Sequence, residues 1–278
     1  MHDFSIITPS YRNGDWLKLC IASIADQRGI TLEHIVQDAG SDDGTLEWLP
    51  NDPRVSAHIE KDGGMYDAIN RGFKRATGEY VAYLNCDEQY LPGALTKVKA
   101  HFDANPDVDV ILSDLLVIDA KGEYICHRRS MIPYGWHLWH RFNMTTCSVF
   151  IRRSSLEKYQ LFFDIQWRVI GDLFWYFKMV QQGIRFLILR EYTSVFTETG
   201  ANLALSESAK GEQQRKLNMM PSWCGKARPL VLMHHKLRMA LTGTFQQKPF
   251  SYSLYTLDSP SRRVVKEVAK PKALWIRP

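Results

Sequence analysis

At 278 residues, 45% hydrophobic and 12% aromatic, the chain is long enough to bury a substantial core and too apolar for a disordered segment. Its net charge of +5 is unevenly spread, since residues 210–278 carry 14 Lys and Arg against 3 Asp and Glu while the rest is net acidic. With no recognisable nucleic-acid-binding motif, the basic tail is expected to meet an anionic membrane surface and not nucleic acid. The first residues show no basic n-region and no long apolar h-region. No stretch approaches the ~20 apolar residues of a membrane span. The five cysteines (Cys20, Cys86, Cys126, Cys147 and Cys224) are scattered without CxxC spacing. Together these features lead us to expect a cytoplasmic protein with reduced thiols, peripheral at most to the inner face of a membrane.

In chain order, residues 4–9 form a first expected strand ending at Pro9, followed by the loop residues Ser10, Tyr11 and Arg12. Residues 14–25 carry Trp16, Leu17, Cys20, Ile21 and Ile24 at helical spacing. Residues 32–37 are a second strand ending at Asp38, and the loop from Ala39 to Gly44 opens a short helix at Thr45. Residues 55–59 are a third strand. It leads into the most informative stretch, EKDGGMYDAINRGFKRATGEYVAYLNCDE, residues 60–88. There Asp62, Gly63 and Gly64 read as a turn, and Met65, Ala68, Ile69, Gly72 and Phe73 as the buried stripe of a helix. Gly78 reads as the glycine stop of that helix, and residues 80–84 as a buried fourth strand. That strand delivers Asn85, Cys86, Asp87 and Glu88 to its carboxyl end.

Strand, helix, strand repeated in this way predicts an α/β fold, a mainly parallel central sheet flanked by helices. Ser10, Asp38, Asp62 and Asp87 then follow four successive strands and converge on one sheet edge, where open α/β sheets bind ligands. Any one such aspartate is better explained as a helix cap or turn former; four polar sites at four successive strand ends point to a nucleotide crevice. It lacks both the GxGxxG of a dinucleotide fold and the GxxxxGK[ST] of a P-loop. Asp87 reads as a metal or phosphate ligand, because an acidic pair at the end of a buried strand is costly without a partner.

Further on, residues 94–102 form a helix, residues 108–119 a strand, and residues 124–127 a strand pairing back after a turn. Residues 134–142 read either as a half-exposed helix packing its tryptophans on the sheet or as an aromatic surface of the kind that suits sugar rings. Residues 144–152 read as a returning strand and residues 184–189 as a closing one. Asp172 heads a helix rich in aromatic residues, where it is either a cap or a functional carboxylate. Residues 206–219 read as a polar helix. Leu230, Met233, Leu237 and Leu241 form one stripe of a second helix, which either packs on its own domain or lies in a lipid interface. His234 and His235 have no nearby cysteine or carboxylate in sequence and do not suggest a zinc site.

The segments TPSYRN, QDAGSDDGT, EKDGGMYDAINRGFKRATGEYVAYLNCDE and GDLFWYFKM resemble, in order and spacing over residues 4–192, the successive motifs of the family-2 glycosyltransferases. That resemblance implies a GT-A fold, occupying residues 1–205, with a basic helical C-terminal extension over residues 206–278. It also implies an inverting, metal-assisted transfer from a nucleotide-diphosphate sugar to a glycan or lipid-linked acceptor, in surface polysaccharide synthesis. By the same resemblance, Pro9, Ser10, Tyr11 and Asp38 hold the nucleotide, and Asp62, Asp67 and Asn70 line its pocket. The D-x-D metal motif appears here as Asn85, Cys86 and Asp87, with Asp87 the ligand to Mg²⁺ or Mn²⁺ and Asn85 and Cys86 beside the donor. Asp172 corresponds to the catalytic base. Residues 194–202 correspond to a mobile loop over the donor phosphates, with Arg190, Thr197 and Asn202 as phosphate contacts. Two rivals remain open: a nucleotide-sugar-binding scaffold without turnover, favoured by Asn85, and a sugar-phosphate nucleotidyltransferase. The latter class uses a glycine-rich basic loop that TPSYRNGD does not supply.

Overall fold

The computed structural model describes residues 2–140, 145–200 and 207–275. Its centre is a nine-stranded sheet. Strands β1 (Phe4–Ser10), β2 (Leu32–Asp38), β3 (Ser56–Ile59) and β4 (Tyr80–Tyr83) lie in the order β3-β2-β1-β4, all parallel. The sheet continues through β8 (Val149–Arg152), β6 (Val110–Asp119), β9 (Phe186–Glu198) and β5 (Gln89–Tyr90), with β7 (Tyr124–Arg128) pairing with β6. β8 runs antiparallel between β4 and β6, whereas β6 and β9 are parallel over their whole length.

The period of two along the strands separates two apolar layers. Ile7, Val81, Tyr83, Val110 and Leu112 face α3 (Met65–Arg75) and α7 (Gly171–Gln181) on one side. Ile6, Tyr80, Ala82 and Ile111 face α1 (Gly14–Ala25) and α4 (Ala94–Ala104) on the other. The shorter helices are α2 (Thr45–Trp48), α5 (Gly135–Leu138) and α6 (Arg153–Lys158).

Several local expectations are redrawn. Pro9 lies inside β1 and does not stop it. The β1–β4 ladder ends at the Ile7 and Tyr83 pair, so the missing N–H of Pro9 removes no ladder bond, and its carbonyl instead accepts the Cys86 thiol at 3.1 Å. Gly78 is not a left-handed helix stop. A Cβ there would lie 2.6 Å from the backbone of Phe4 and Ser5, so glycine is required by the close approach of the α3–β4 turn to β1. Residues 194–198 are strand and not loop, because Leu115–Asp119 of β6 and the short β5 pair with them. The segment expected to be helical from 134 is helical only over α5, and β8 begins at Val149 after a 3-10 turn. The expectations at Phe142, Met144 and Asn202 lie outside the described residues.

The C-terminal segment is helical through α8 (Glu207–Met219) and α9 (Ser222–Leu241). It then forms an antiparallel hairpin, β10 (Phe250–Thr256) and β11 (Ser259–Val268), which the sequence reading did not foresee. Tyr252, Leu254 and Val268 pack with Leu116, Ile118 and Val195 of the main sheet and with Leu91 just past β5. Arg263 reaches across to the Asp26 carboxylate at 2.5 and 2.8 Å and to the carbonyls of Ser253 and Tyr90 at 3.0 Å.

Candidate active site

The loops after β1 and β2 are bound to each other. Ala39 donates its N–H to the Ser10 carbonyl at 3.0 Å, and the Arg12 N–H is received by the Ser41 hydroxyl at 2.8 Å. The Arg12 guanidinium forks onto Asp42 at 2.5 and 2.7 Å and lies 5.0 Å from the Tyr11 ring centroid, leaving that ring exposed at the rim. Asp38 is fully buried. Its Oδ1 accepts the N–H groups of Gly40 and Ser41 at 2.9 and 2.7 Å, and its Oδ2 accepts the Ser41 hydroxyl at 2.8 Å.

Past β3, Asp62 accepts the Gly64 N–H at 2.8 Å, and Gly64 holds φ +121°, a conformation that favours glycine. Burial pushes the Asp62 carboxyl up, the Gly64 N–H and Arg71 oppose this, and the charges of Asp67 and Asp38 add to it. Asp62 therefore lies close enough to both Asp67 and Asp38 to be repelled by each. Asp67 accepts from the Gly63 N–H and the Arg71 guanidinium, both at 2.9 Å, and so braces the glycine turn against α3. Asn70 uses both ends of its amide on the backbone of Phe163, at 2.9 and 2.8 Å, and is a clamp between α3 and the segment before α7.

At the end of β4, Asn85, Cys86, Asp87 and Glu88 diverge. The buried Cys86 points back among Leu17, Ile21, Val36 and Leu49, with its thiol on Pro9. Glu88 is buried and accepts the Asn85 N–H at 2.8 Å. Burial raises the carboxyls of both Asp87 and Glu88; the charge of Glu198 adds to the first and that of Asp87 to the second. Asn85 Oδ1 is buried with no hydrogen-bond partner among the described residues. A hard divalent cation fits this setting, an orphaned amide oxygen beside clustered carboxylates. Among the described residues no group of three or more His, Cys, Asp or Glu is arranged to hold a metal ion, so most ligands to such a cation would be diphosphate oxygens and water.

Asn85 and Glu88 also line a cavity of ≈ 410 Å³ together with Tyr66, Tyr83, Arg128, Asp172 and Trp275. Asp172 reaches it because the start of α7 is pressed against α3. A Cβ on Gly171 would lie 2.6 Å from the Tyr66 ring, and the Asp172 N–H donates to the Tyr66 hydroxyl at 3.1 Å. Desolvation lifts the Asp172 carboxyl to about 7; the Leu173 N–H and Tyr66 hold it down in part, and the charge of Glu212 raises it further. Glu212, on α8, accepts the N–H groups of Arg168, Val169 and Ile170 at 2.6, 3.0 and 3.0 Å, fixing the loop that leads into Asp172.

Residues 5–160 match the family model described as Glycosyl transferase family 2, more than half of the chain. The protein belongs to this family. A PGL/p-HBAD biosynthesis glycosyltransferase of Mycobacterium tuberculosis is 34% identical over 120 residues, 41% of this chain and 47% of that one. A chondroitin synthase of Pasteurella multocida is 26% identical over 149 residues, 52% of this chain and 15% of that one. The chain thus spans about half the length of the mycobacterial relatives it matches. Among solved structures, S. aureus TarS 1-349 in complex with UDP-GlcNAc superposes with a TM-score of 0.64 at 16% identity, covering 88% of this chain and 76% of that one. The mannosyltransferase PcManGT of Pyrobaculum calidifontis, in complex with GDP-Man and Mn2+, gives 0.54 at 19% identity over 77% and 61% of the two chains. These likenesses establish the GT-A fold.

Within this family 2 member, the strand-end residues Ser10, Asp38 and Asp62 and the stretch from Asn85 to Glu88 share one sheet edge, and Asp172 faces the same cavity as Asn85 and Glu88. Asn70 and Cys86 are turned into the fold. Sequence reasoning passed over Tyr66, Arg128, Glu198, Glu212 and Trp275. Only Tyr66 had a local signal, an aromatic residue next to the glycine turn at the start of the buried helical stripe.

Proposed function

We propose that the protein transfers a sugar, with inversion, from a nucleotide-diphosphate donor to a hydroxyl of a glycan or lipid-linked acceptor. The observation that carries this reading is the single cavity shared by Asn85 and Glu88, at the end of β4, and Asp172, at the head of α7. Tyr11, Ser10 and Pro9 would flank the base and ribose. Asp38, fully buried under the Gly40–Ser41 turn, would receive the base through Oδ2 once that turn parts from it. Asp62 would line the same pocket, with Asp67 and Asn70 bracing it and Cys86 setting the position of Pro9. Asp87, with Asn85 Oδ1, would hold Mg²⁺ or Mn²⁺, which when bound offsets the negative charge of the departing diphosphate. Asp172 would take the acceptor proton as its oxygen attacks the anomeric carbon. Its carboxyl, lifted to about 7, is matched to that task near neutral pH. The diphosphate-nucleotide complexes of the structural neighbours support the donor class.

Titration calorimetry with UDP- and GDP-sugars and Mn²⁺, alongside a transfer assay, tests the division of roles. Asp87→Ala is expected to abolish metal-dependent donor binding. Asp172→Asn should keep donor affinity and lose transfer by about 10²–10⁴-fold. Equal loss of donor affinity in both variants would contradict the separate roles. Asn85, in place of the first aspartate of the metal motif, favours a second reading, a donor-binding scaffold without turnover. Tight donor binding with neither transfer nor donor hydrolysis across an acceptor panel would select it.

A further inference from the structure

We propose that α9 is a docking surface for an anionic lipid bilayer, with Trp223, Leu230, Met233, Leu237 and Leu241 entering the interface. The five side chains are 54 to 77% exposed, although all are large and apolar, whereas Val231, Leu232 and Met239 of the same helix are buried or half-buried. At 100° per residue they fall within about 80° of one another, so they form one continuous stripe along a helix about 30 Å long. The stripe cannot turn inward, because the opposite face is already committed. Cys224, Val231 and His235 are buried there, Cys224 gives its carbonyl to the His140 ring at 2.9 Å, and Arg238 donates to the Ile132 carbonyl at 2.7 Å.

The charges choose the occupant. α9 has no acidic residue; Lys226 stands within the stripe itself and Lys236 at its flank, whereas Arg228 and Arg238 lie toward the committed face. A second copy packed on this face would bring cations against cations, whereas an anionic headgroup layer complements them. Two aromatic residues extend the surface at one flank. Trp136 lies 5.1 Å from the His234 ring and the Arg238 guanidinium lies 4.5 Å from Tyr134, and both aromatic rings remain partly exposed, suited to the headgroup boundary. No helix among the described residues is long and apolar enough to cross a membrane, so contact through this face would be interfacial. α8 joins this face to the cavity, since its Ala209 and Gln213 line the cavity wall and its far end turns into α9. A bilayer under α9 would thus bring lipid-borne acceptors within roughly a helix length of Asp172.

The test is co-sedimentation of the full chain with phosphatidylcholine vesicles and with vesicles of phosphatidylcholine and phosphatidylglycerol at 7:3, without donor or acceptor, so that it stands apart from the catalytic reading. Binding to the anionic vesicles is expected to exceed that to the neutral ones by roughly tenfold and to weaken with added salt. Leu230→Ser with Leu237→Ser should cut it by roughly tenfold or more, while the thermal midpoint and donor binding stay unchanged, both residues being exposed. Lys226→Glu with Lys236→Glu should remove the anionic preference. The proposal is overturned if the wild type and the leucine variant sediment alike. It is also overturned if the stripe proves to be a self-association surface, with light scattering showing a dimer that the leucine variant loses and no vesicle binding.

Discussion

The hydroxyl of Tyr66 stands between two backbone groups of the segment that carries Asp172: it accepts the Asp172 N–H at 3.1 Å and donates to the Val169 carbonyl at 3.1 Å. A residue of the glycine-turn motif thus sets the position of a carboxylate 106 residues later in the chain. Tyr66→Phe keeps the ring stacked on Phe163 and removes only the oxygen. The variant should lose about 1–2 kcal/mol of stability for two buried backbone groups left unpaired. It should also lower kcat more than it changes donor affinity, because the donor-side residues are untouched. Equilibrium unfolding and steady-state kinetics check both. Gly171→Ala, which drives a methyl into the Tyr66 ring, should have the same kinetic signature with a larger stability loss.

The carboxyl of Asp172, lifted to about 7 mainly by desolvation, gives a signed pH prediction. A base works as the carboxylate, so kcat/KM should rise with pH and level off above about 7. Stability runs the other way. Between its ordinary value of 3.8 and about 7 the folded protein holds a proton that the unfolded chain has released, so this group makes the fold less stable as pH rises through that window. Asp172→Asn removes the penalty. Its melting temperature relative to wild type should therefore climb between pH 4 and pH 8, while its transfer rate stays low throughout. A variant that loses stability at pH 8 would show that the charge is better paired than burial implies.

Arg263 and Asp26 pin the β10–β11 hairpin to the end of α1, and Tyr255 adds its hydroxyl to the same carboxylate at 2.9 Å. The Arg263 side chain is mostly buried, so its removal withdraws a guanidinium donor from the carbonyls of Ser253 and Tyr90 and the cationic partner from Asp26. Arg263→Ala should cost about 2–3 kcal/mol. The loss should appear as destabilisation of the whole fold in one transition, because the hairpin shares a core with Leu116 and Val195 of the central sheet. Early, separate melting of the hairpin would show that it is an appendage.

The contrast between these sites explains how much was legible in the sequence. β1 to β4 and α3 could be read because their signals are local: short apolar runs or 3.6-periodic apolar residues bounded by glycine and aspartate. The carboxylates at the strand ends followed from topology, which brings Ser10, Asp38, Asp62 and Asp87 to one edge whatever the side chains do. Side-chain direction was not legible. Asn70 looked like a ligand because its partner Phe163 is 93 residues away, and Cys86 looked like a donor contact because nothing nearby shows that it turns toward Pro9. Gly78 and Gly171 are required by approaches to β1 and Tyr66 that exist only once the sheet is assembled. β11 carries Arg262, Arg263 and Lys266, two of them paired to carboxylates far away in sequence, Asp26 and Glu123, so its composition reads as a basic tail.

Glu212 offers the sharpest test of the link between α8 and the site. It is nearly buried, and it satisfies three consecutive N–H groups immediately before Gly171 and Asp172. Its charge also faces Asp172, together with Tyr66 of α3, Tyr83 of β4 and Tyr176 of α7. Glu212→Gln keeps the size and one accepting oxygen but removes the charge. Positioning through the loop predicts a lower kcat, and loss of the repelling charge predicts an Asp172 that ionises more readily. The rising limb of kcat/KM should therefore move toward acid pH, even though the plateau falls. A residue that merely holds α8 in place would lower the plateau and leave the limb where it was. Glu212→Asp, which retains the charge on a shorter arm, should keep the limb near its wild-type position with a reduced plateau, separating the electrostatic contribution from the geometric one.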